Sequence, residues 1–324
     1  QTCALPISMN LQTRTSGNIH AQNYTVLAFH QQVLARSVIK GYFHNRQGLK
    51  SETADYSRNI GFEALYRSVD GRFQTVGGYA KQFRPGVHIK NHYYSLIVEY
   101  DSRNISAYFD IAGIGEQNKS ELGYIFGQEH YDAARDTSIR IGFNHSFASF
   151  AYTLYPGNND RIISHVFDVS YRYDGDTSFS TLNFEAELDY SLRFANTSQL
   201  QFSLNHTVKE LLFPFSFIGQ EPLPADRYTF EQAELNYRSD QRGLFSLQGG
   251  LMYGTFYNGT HIQYRLGVKY RVQPWGNFTF NFEQNKLHFP DPYGVDNLLL
   301  IGPRIEFNFS ARLFWTTFLQ YNTQ

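Results

Sequence analysis

Apolar and polar residues alternate along this chain with period two, in runs long enough to define strands. From Leu182 the even positions read Leu182, Phe184, Ala186, Leu188, Tyr190, Leu192 and Phe194. Between them lie Asn183, Glu185, Glu187, Asp189, Ser191 and Arg193. Successive side chains of a strand point to opposite faces, so this segment has one greasy face and one charged face. Ile262, Tyr264, Leu266, Val268, Tyr270 and Val272 repeat the arrangement against His261, Gln263, Arg265, Gly267, Lys269 and Arg271. Phe278, Phe280 and Phe282 alternate with Asn277, Thr279, Asn281 and Glu283. Shorter alternating runs occur at 60–66, 94–100, 105–111, 167–173 and 200–204.

Turn signals separate the runs. Asp70-Gly71 and Asn258-Gly259 are dipeptides suited to positive φ in tight hairpins, and residues 101–104 and 174–176 read as turns of the same kind. Irregular segments are expected near 47–58, 127–135, 213–227 and 288–298. The last two carry Pro214, Pro222, Pro224, Pro290 and Pro292, and proline cannot donate to a strand ladder. No stretch keeps a 3.6-residue period with caps. The spacing of runs and turns predicts about 16 strands.

Run length separates a membrane barrel from a soluble sandwich. Strands of soluble sheets run about five or six residues, whereas about 9–11 are needed to cross a bilayer at a tilt. The clean runs here span 13 positions from Leu182 and 11 from Ile262. Composition supports the barrel, because 29 Phe, 24 Tyr and 2 Trp can coat a wide outer surface and Tyr and Trp favour headgroup depth. A mean hydropathy of -0.43 argues against a helical membrane protein but not against alternating strands. The expected fold is an all-β, antiparallel transmembrane β-barrel, incomplete in this sequence. Its expected place is a bacterial outer membrane, with the lipid bilayer as partner. With 28 Lys+Arg against 29 Asp+Glu, the basic excess of a nucleic-acid binder is absent.

The opening QTCALPIS has no initiator Met, basic stretch or apolar core of signal-peptide length. Residues 1–8 are therefore expected to be non-native or read-through sequence. Residues 9–324 are expected to be a barrel domain truncated at both ends. The single Cys3 precludes an internal disulfide and a multi-thiolate metal site.

Four segments carry a family resemblance: NYTVLAFHQQVLARSVIKGYFHNRQ, ISAYFDIAGIGE, FEQNKLHFPDPYG and IGPRIEFNFSARLFWTTFLQYNTQ. They resemble the membrane-associated barrel domain of unknown function found in outer-membrane proteins of Bacteroidota. The likeness spans roughly residues 20 to 324 and rests on structural motifs rather than catalytic ones. In that family the barrel usually follows a carbohydrate-binding module of the family-nine type, so the resemblance implies a glycan as indirect partner. Some relatives carry a hydrolase label, which no residue here supports.

The chemistry legible in the sequence is sparse. Glu185, Glu187, Asp189 and Arg193, with Arg265, Lys269 and Arg271, are expected to face a polar lumen, since Lys or Arg against lipid costs up to about 2–4 kcal/mol at the midplane. The three cations are available to balance the three carboxylates. In HFPDPYGVDN, the glycan partner that the resemblance implies would let Tyr293, beside Asp291 and Asp296, stack on a sugar ring while the carboxylates accept from its hydroxyls; a loop plug and a lipopolysaccharide contact are equal alternatives. No cofactor, metal site or catalytic residue is expected. His88 and His92 stand four apart, but their context reads as a loop entering a strand. The pairs His145-Ser146 and Ser164-His165 are neighbours on strands, which point apart. The leading expectation is a non-enzymatic barrel that anchors or works beside a glycan-binding module and passes a polar solute. An outer-membrane hydrolase and a scaffold for surface or secretion assembly are the alternatives.

Overall fold

A computed structural model of the chain describes residues 4–17, 20–49, 55–119, 128–132, 135–157, 160–217, 221–310 and 312–323. Every element among them is a strand or a connection, and no helix occurs. Two compact units divide the chain, Gln1–Ser149 with Arg172–Leu182, and Phe150–Tyr171 with Asn183–Gln324. The first holds β1 (Ala4–Gln12), β2 (Gln22–Val33), β3 (Ser37–Gly48), β4 (Tyr56–Arg67), β5 (Phe73–Phe83), β6 (His92–Asp101) and β7 (Ile105–Ile114), followed by the short pair β8 (Glu129–Asp132) and β9 (Thr137–Arg140). β10 (Phe143–Leu154), β11 (Ile162–Asp176) and β12 (Thr181–Phe194) divide between the two units. The second unit continues with β13 (Gln199–Glu210), β14 (Arg227–Arg238), β15 (Phe245–Phe256), β16 (Gly259–Val272), β17 (Gly276–His288), β18 (Val295–Ser310), β19 (Leu313–Phe318) and β20 (Tyr321–Asn322). Setting aside β8, β9, β19 and β20 leaves sixteen strands of nine to sixteen residues among the described residues. The expected all-β class and strand number are met.

Each strand of the first unit from β1 to β7 pairs antiparallel with the next. The register aligns Phe29, Gly41, Phe62, Tyr79, Tyr94 and Gly113 in one row across six strands. Alternate rows on the opposite face carry Lys40 beside Glu63, and His44 beside Asn59 and Gln82. Phe62 is 56% exposed and most large apolar side chains of its face are similarly open. β1 is the exception. Its partners place Ile7, Met9 and Leu11 on the side of His44 and Gln82, and Ser8 beside Leu27 on the apolar side. A shift of one residue would reverse that polarity, so the opening segment pairs as a strand without sharing the two-sided pattern of the rest.

Two turns differ from the sequence reading. Residues 174–176 belong to β11, and the reversal comes after Asp176, whose carboxylate accepts from the N–H groups of Ser178 (2.7 Å) and Ser180 (2.9 Å). In the β15–β16 hairpin Phe256 pairs with Gly259, so the loop is Tyr257-Asn258, and positive φ falls on Tyr257 (52°) rather than on Asn258 or Gly259. Asp70-Gly71 behaves as expected, with Gly71 at φ 75°. The irregular segments are shorter than expected. Tyr56 opens β4, Glu129–Asp132 forms β8, and Val295 opens β18. Residues 50–54, 127, 133–134 and 218–220 of those segments lie outside the described ones.

A polar clamp holds one connection of the first unit. Gln82, on the His44 face of β5, donates to Ser57 Oγ (3.1 Å) and to the Lys119 carbonyl (2.7 Å), and its Oε1 accepts from the Lys119 N–H (2.8 Å). Asn91 donates to the Gln82 carbonyl at 2.5 Å and Gln128 to those of Gly115 (3.1 Å) and Asn118 (2.9 Å). Every amide of this buried set has a partner, as the cost of orphaned polar groups demands. Gln82→Ala strips both partners from Lys119 and is expected to cost about 1–3 kcal/mol, measured as faster hydrogen exchange at the Lys119 amide. Unchanged protection there would contradict the clamp.

Candidate functional site

Register in the second unit sorts the side chains of seven consecutive strands, β12 to β18, onto two faces. One row runs Ser191, Gln201, Asn236, Gly250, Arg265, Glu283, Leu300. The next runs Arg193, Gln199, Arg238, Gln248, Gly267, Asn281, Gly302. The opposite face carries Leu188, Leu204, Leu235, Leu251, Tyr264 and Phe282, with Leu188 53% exposed and Tyr253 59% exposed. Glu185, Glu187, Asp189, Arg193, Arg265, Lys269 and Arg271, the seven charged positions expected to share a surface, all lie on the polar face.

Their ion pairing differs from the expectation. Three strands separate β12 from β16, and Arg265 pairs instead with Glu234 on β14 while donating to Asn236 Oδ1 (3.1 Å). Its guanidinium reaches that far because it crosses Gly250: a Cβ there would stand 3.1 Å from Arg265 Nε and 2.6 Å from Asn236 Oδ1. Asp189 accepts from Gln201 (2.9 Å) and from the Ser203 hydroxyl, and Glu185 from Asn183 (3.0 Å). Asp189 and Glu185 are thus held by amides and a hydroxyl, not by the cations of β16.

The polar rows enclose a recess of about 480 Å³ over β13 to β18, with Gly250 and Gly267 in its floor and Gln201, Asn236, Gln248 and Asn281 around it. Sequence reasoning missed this recess. The alternation Glu234, Asn236, Arg238 was visible in β14, but which glycine lies beneath which amide depends on register across four strands.

At the other end of these strands the polarity changes sides. Tyr228, Phe230 and Leu287 occupy positions of the polar face, yet they are buried with Leu223 and Phe289 in one apolar cluster. Phe217, Phe256, Tyr257 and Tyr293 pack against it, with Phe217 4.8 Å from Tyr257 and 5.3 Å from Phe256 between ring centroids. Residues 211–217 and 221–226 of one connection and 289–294 of another therefore fold onto the polar face as an apolar lid. On the opposite face at this level His206 meets Glu231 (3.3 Å), whose N–H donates to Thr255 Oγ1 (2.8 Å). Burial raises the pKa of the Tyr257 phenol in the hairpin loop.

The lid determines where the three expected sugar contacts fall. Tyr293 is half-buried against the cluster, Asp291 is exposed in the connection, and Asp296 belongs to β18 opposite Leu287. The three stand in separate environments. Among the histidines, His145 Nδ1 lies 2.6 Å from Asp174 and its Nε2 3.3 Å from Asp110, so both nitrogens face carboxylates and neither is available to a nucleophile. Nδ1 of His165 lies 2.8 Å from the Tyr190 hydroxyl. His92 opens β6, stacked between Tyr79 and Tyr94, and His88 precedes it in the connection. No set of three His, Cys, Asp or Glu side chains is placed to hold a metal ion among the described residues.

No family model matches the chain, and no curated protein does either.

Leu223 is the most buried apolar side chain of the lid at 2% exposure, and its backbone bridges Phe215 at 3.0 and 2.9 Å. Leu223→Ala is expected to remove about 2–5 kcal/mol of local stability and to speed amide exchange at Phe215 and Leu223. Exchange as slow as in the parent chain would show that the lid is held by something else.

Proposed function

We propose that this chain is the membrane-spanning part of an outer-membrane β-barrel, with its apolar face against lipid and its polar face lining a water-filled passage for small polar solutes. The observation that carries this reading is the two-sided register of β12 to β18, whose apolar face is left largely exposed by the described residues. Only seven hydrophobic residues are buried among the described ones, and five of them belong to the cluster that the lid covers. A soluble sandwich would bury its apolar rows between two layers. Each half-exposed Leu, Phe or Tyr left in water would forgo about 1 kcal/mol of transfer free energy, summed over a face many residues wide. A bilayer recovers that energy.

The edges of the apolar face fit the same environment. Phe245, Tyr270 and Phe278 form an exposed aromatic row across β15, β16 and β17 at one end, as expected of a girdle at headgroup depth. At the other end the face turns polar at His206, Glu231, Thr255 and Lys286. The family resemblance supports the same compartment, and on it alone rests the further proposal that the barrel anchors a glycan-binding module.

Substitution in vesicle-embedded protein tests the lipid face. Leu188→Arg is expected to cost about 2–4 kcal/mol if the site lies near the midplane, read from guanidinium unfolding. Glu185→Gln on the polar face should stay within about 0.5 kcal/mol. Equal tolerance of both would contradict the assignment of faces. Stepwise conductance in planar bilayers tests the passage, and refolded protein that inserts yet never conducts would remove it.

A further inference from the structure

We infer that the recess over Gly250 and Gly267 binds a neutral, polyhydroxylated solute of saccharide size. This rests on the reading of the polar face as water-filled, and it names what that face recognises. The volume of about 480 Å³ falls within the range of small-molecule sites. Its floor is polar because the two glycines let neighbouring side chains lie against the backbone: a Cβ on Gly267 would stand 2.5 Å from Gln248 Nε2, so the amide lies directly over it, as the Arg265 guanidinium lies over Gly250.

The charges around the recess are already engaged. Arg265 is neutralised by Glu234, Arg238 donates to Gln199 Oε1 (3.4 Å), and Glu283 accepts from Gln263 and Asn285, each at 2.9 Å. Arg238 and Arg265 line the recess against Glu283, and once the Glu234 partner of Arg265 is counted no net charge remains to select an ion. The Gln248 and Asn281 amides flank Gly267 in register, and neither has a hydrogen-bond partner among the described residues. An amide offers two donors and an acceptor. Hydroxyl groups also both donate and accept, so a molecule bearing several can satisfy both amides at once. A carboxylate can only accept and an ammonium can only donate, so each leaves half of the paired amides unmet.

Saturation-transfer NMR on the full chain refolded in a micelle of amine-oxide detergent, which has no sugar headgroup, tests the inference without requiring conduction. Maltose is expected to receive saturation from the protein, while sodium succinate, which only accepts, and putrescine dihydrochloride, which only donates, receive at least fivefold less. The double substitution Gln248→Ala with Asn281→Ala should reduce the maltose signal at least fivefold in protein that keeps its heat-modifiable gel mobility. Gly267→Ala, which forces the Gln248 amide aside, should weaken it as well. Absence of transfer to maltose, equal transfer to succinate or putrescine, or a maltose signal that survives the double substitution in folded protein would each overturn the inference. A chain that conducts without transfer retains the passage and loses this site; one that gives the expected transfer without conducting retains the site and loses the passage.

Discussion

Everything distinctive about this chain follows from an alternation of two residues kept in register from strand to strand. A single alternating strand has two faces; seven of them paired without slippage have two surfaces. Because antiparallel pairing sets residues directly opposite each other, a register error of one position would scatter Leu188, Leu251 and Leu266 among Glu187, Arg265 and Glu283. The register therefore decides whether the apolar rows form a continuous band. Once they do, no described residue forms a second layer over them, and on the proposed reading a bilayer supplies the burial that the fold does not. Water is a poor solvent for that face and lipid a good one.

The same constraint explains the ends of the strands. Where the lid folds onto the polar face, Tyr228, Phe230 and Leu287 replace polar residues at in-phase positions, and the opposite face carries His206, Glu231 and Thr255. Polarity is conserved at each level but exchanged between faces. An apolar cluster can form there because the connections bring their own Leu223, Phe217 and Phe289 to cover it. The first unit solves a similar problem with amides, holding the Gly115–Lys119 connection through Gln82, Asn91 and Gln128. Both solutions secure a connection over the end of the strands, one by removing apolar surface from water and the other by pairing every buried polar group.

Local alternation made the strands legible: β12 and β16 lie where their runs of apolar residues place them, and the seven charged positions share one face as their phase requires. Less local features were not legible. The turn after β11 moved because the Asp176 side chain captures the N–H groups beyond it, which makes 174–176 part of the ladder. The β15–β16 loop put Tyr257 at positive φ, a conformation that its packing against Phe217 and Phe256 accompanies. Arg265 found Glu234 rather than a β12 carboxylate, since partner choice depends on which strands are adjacent and on the missing side chain of Gly250. Tyr293 lies against the lid for a comparable reason: the cluster that holds it is assembled from residues more than sixty positions apart.

The central claim concerns which face meets lipid, and a scan of β16 tests it most directly. Single cysteines from Ile262 to Arg271, in a Cys3→Ser background and labelled with an environment-sensitive fluorophore, would be examined in lipid vesicles against two quenchers. The expected result is period-two behaviour in opposite phase. Even positions should be quenched by nitroxide carried on the acyl chains, and odd positions by a water-soluble ion. Uniform quenching of both sets by the aqueous agent, or an absence of alternation, would contradict the account.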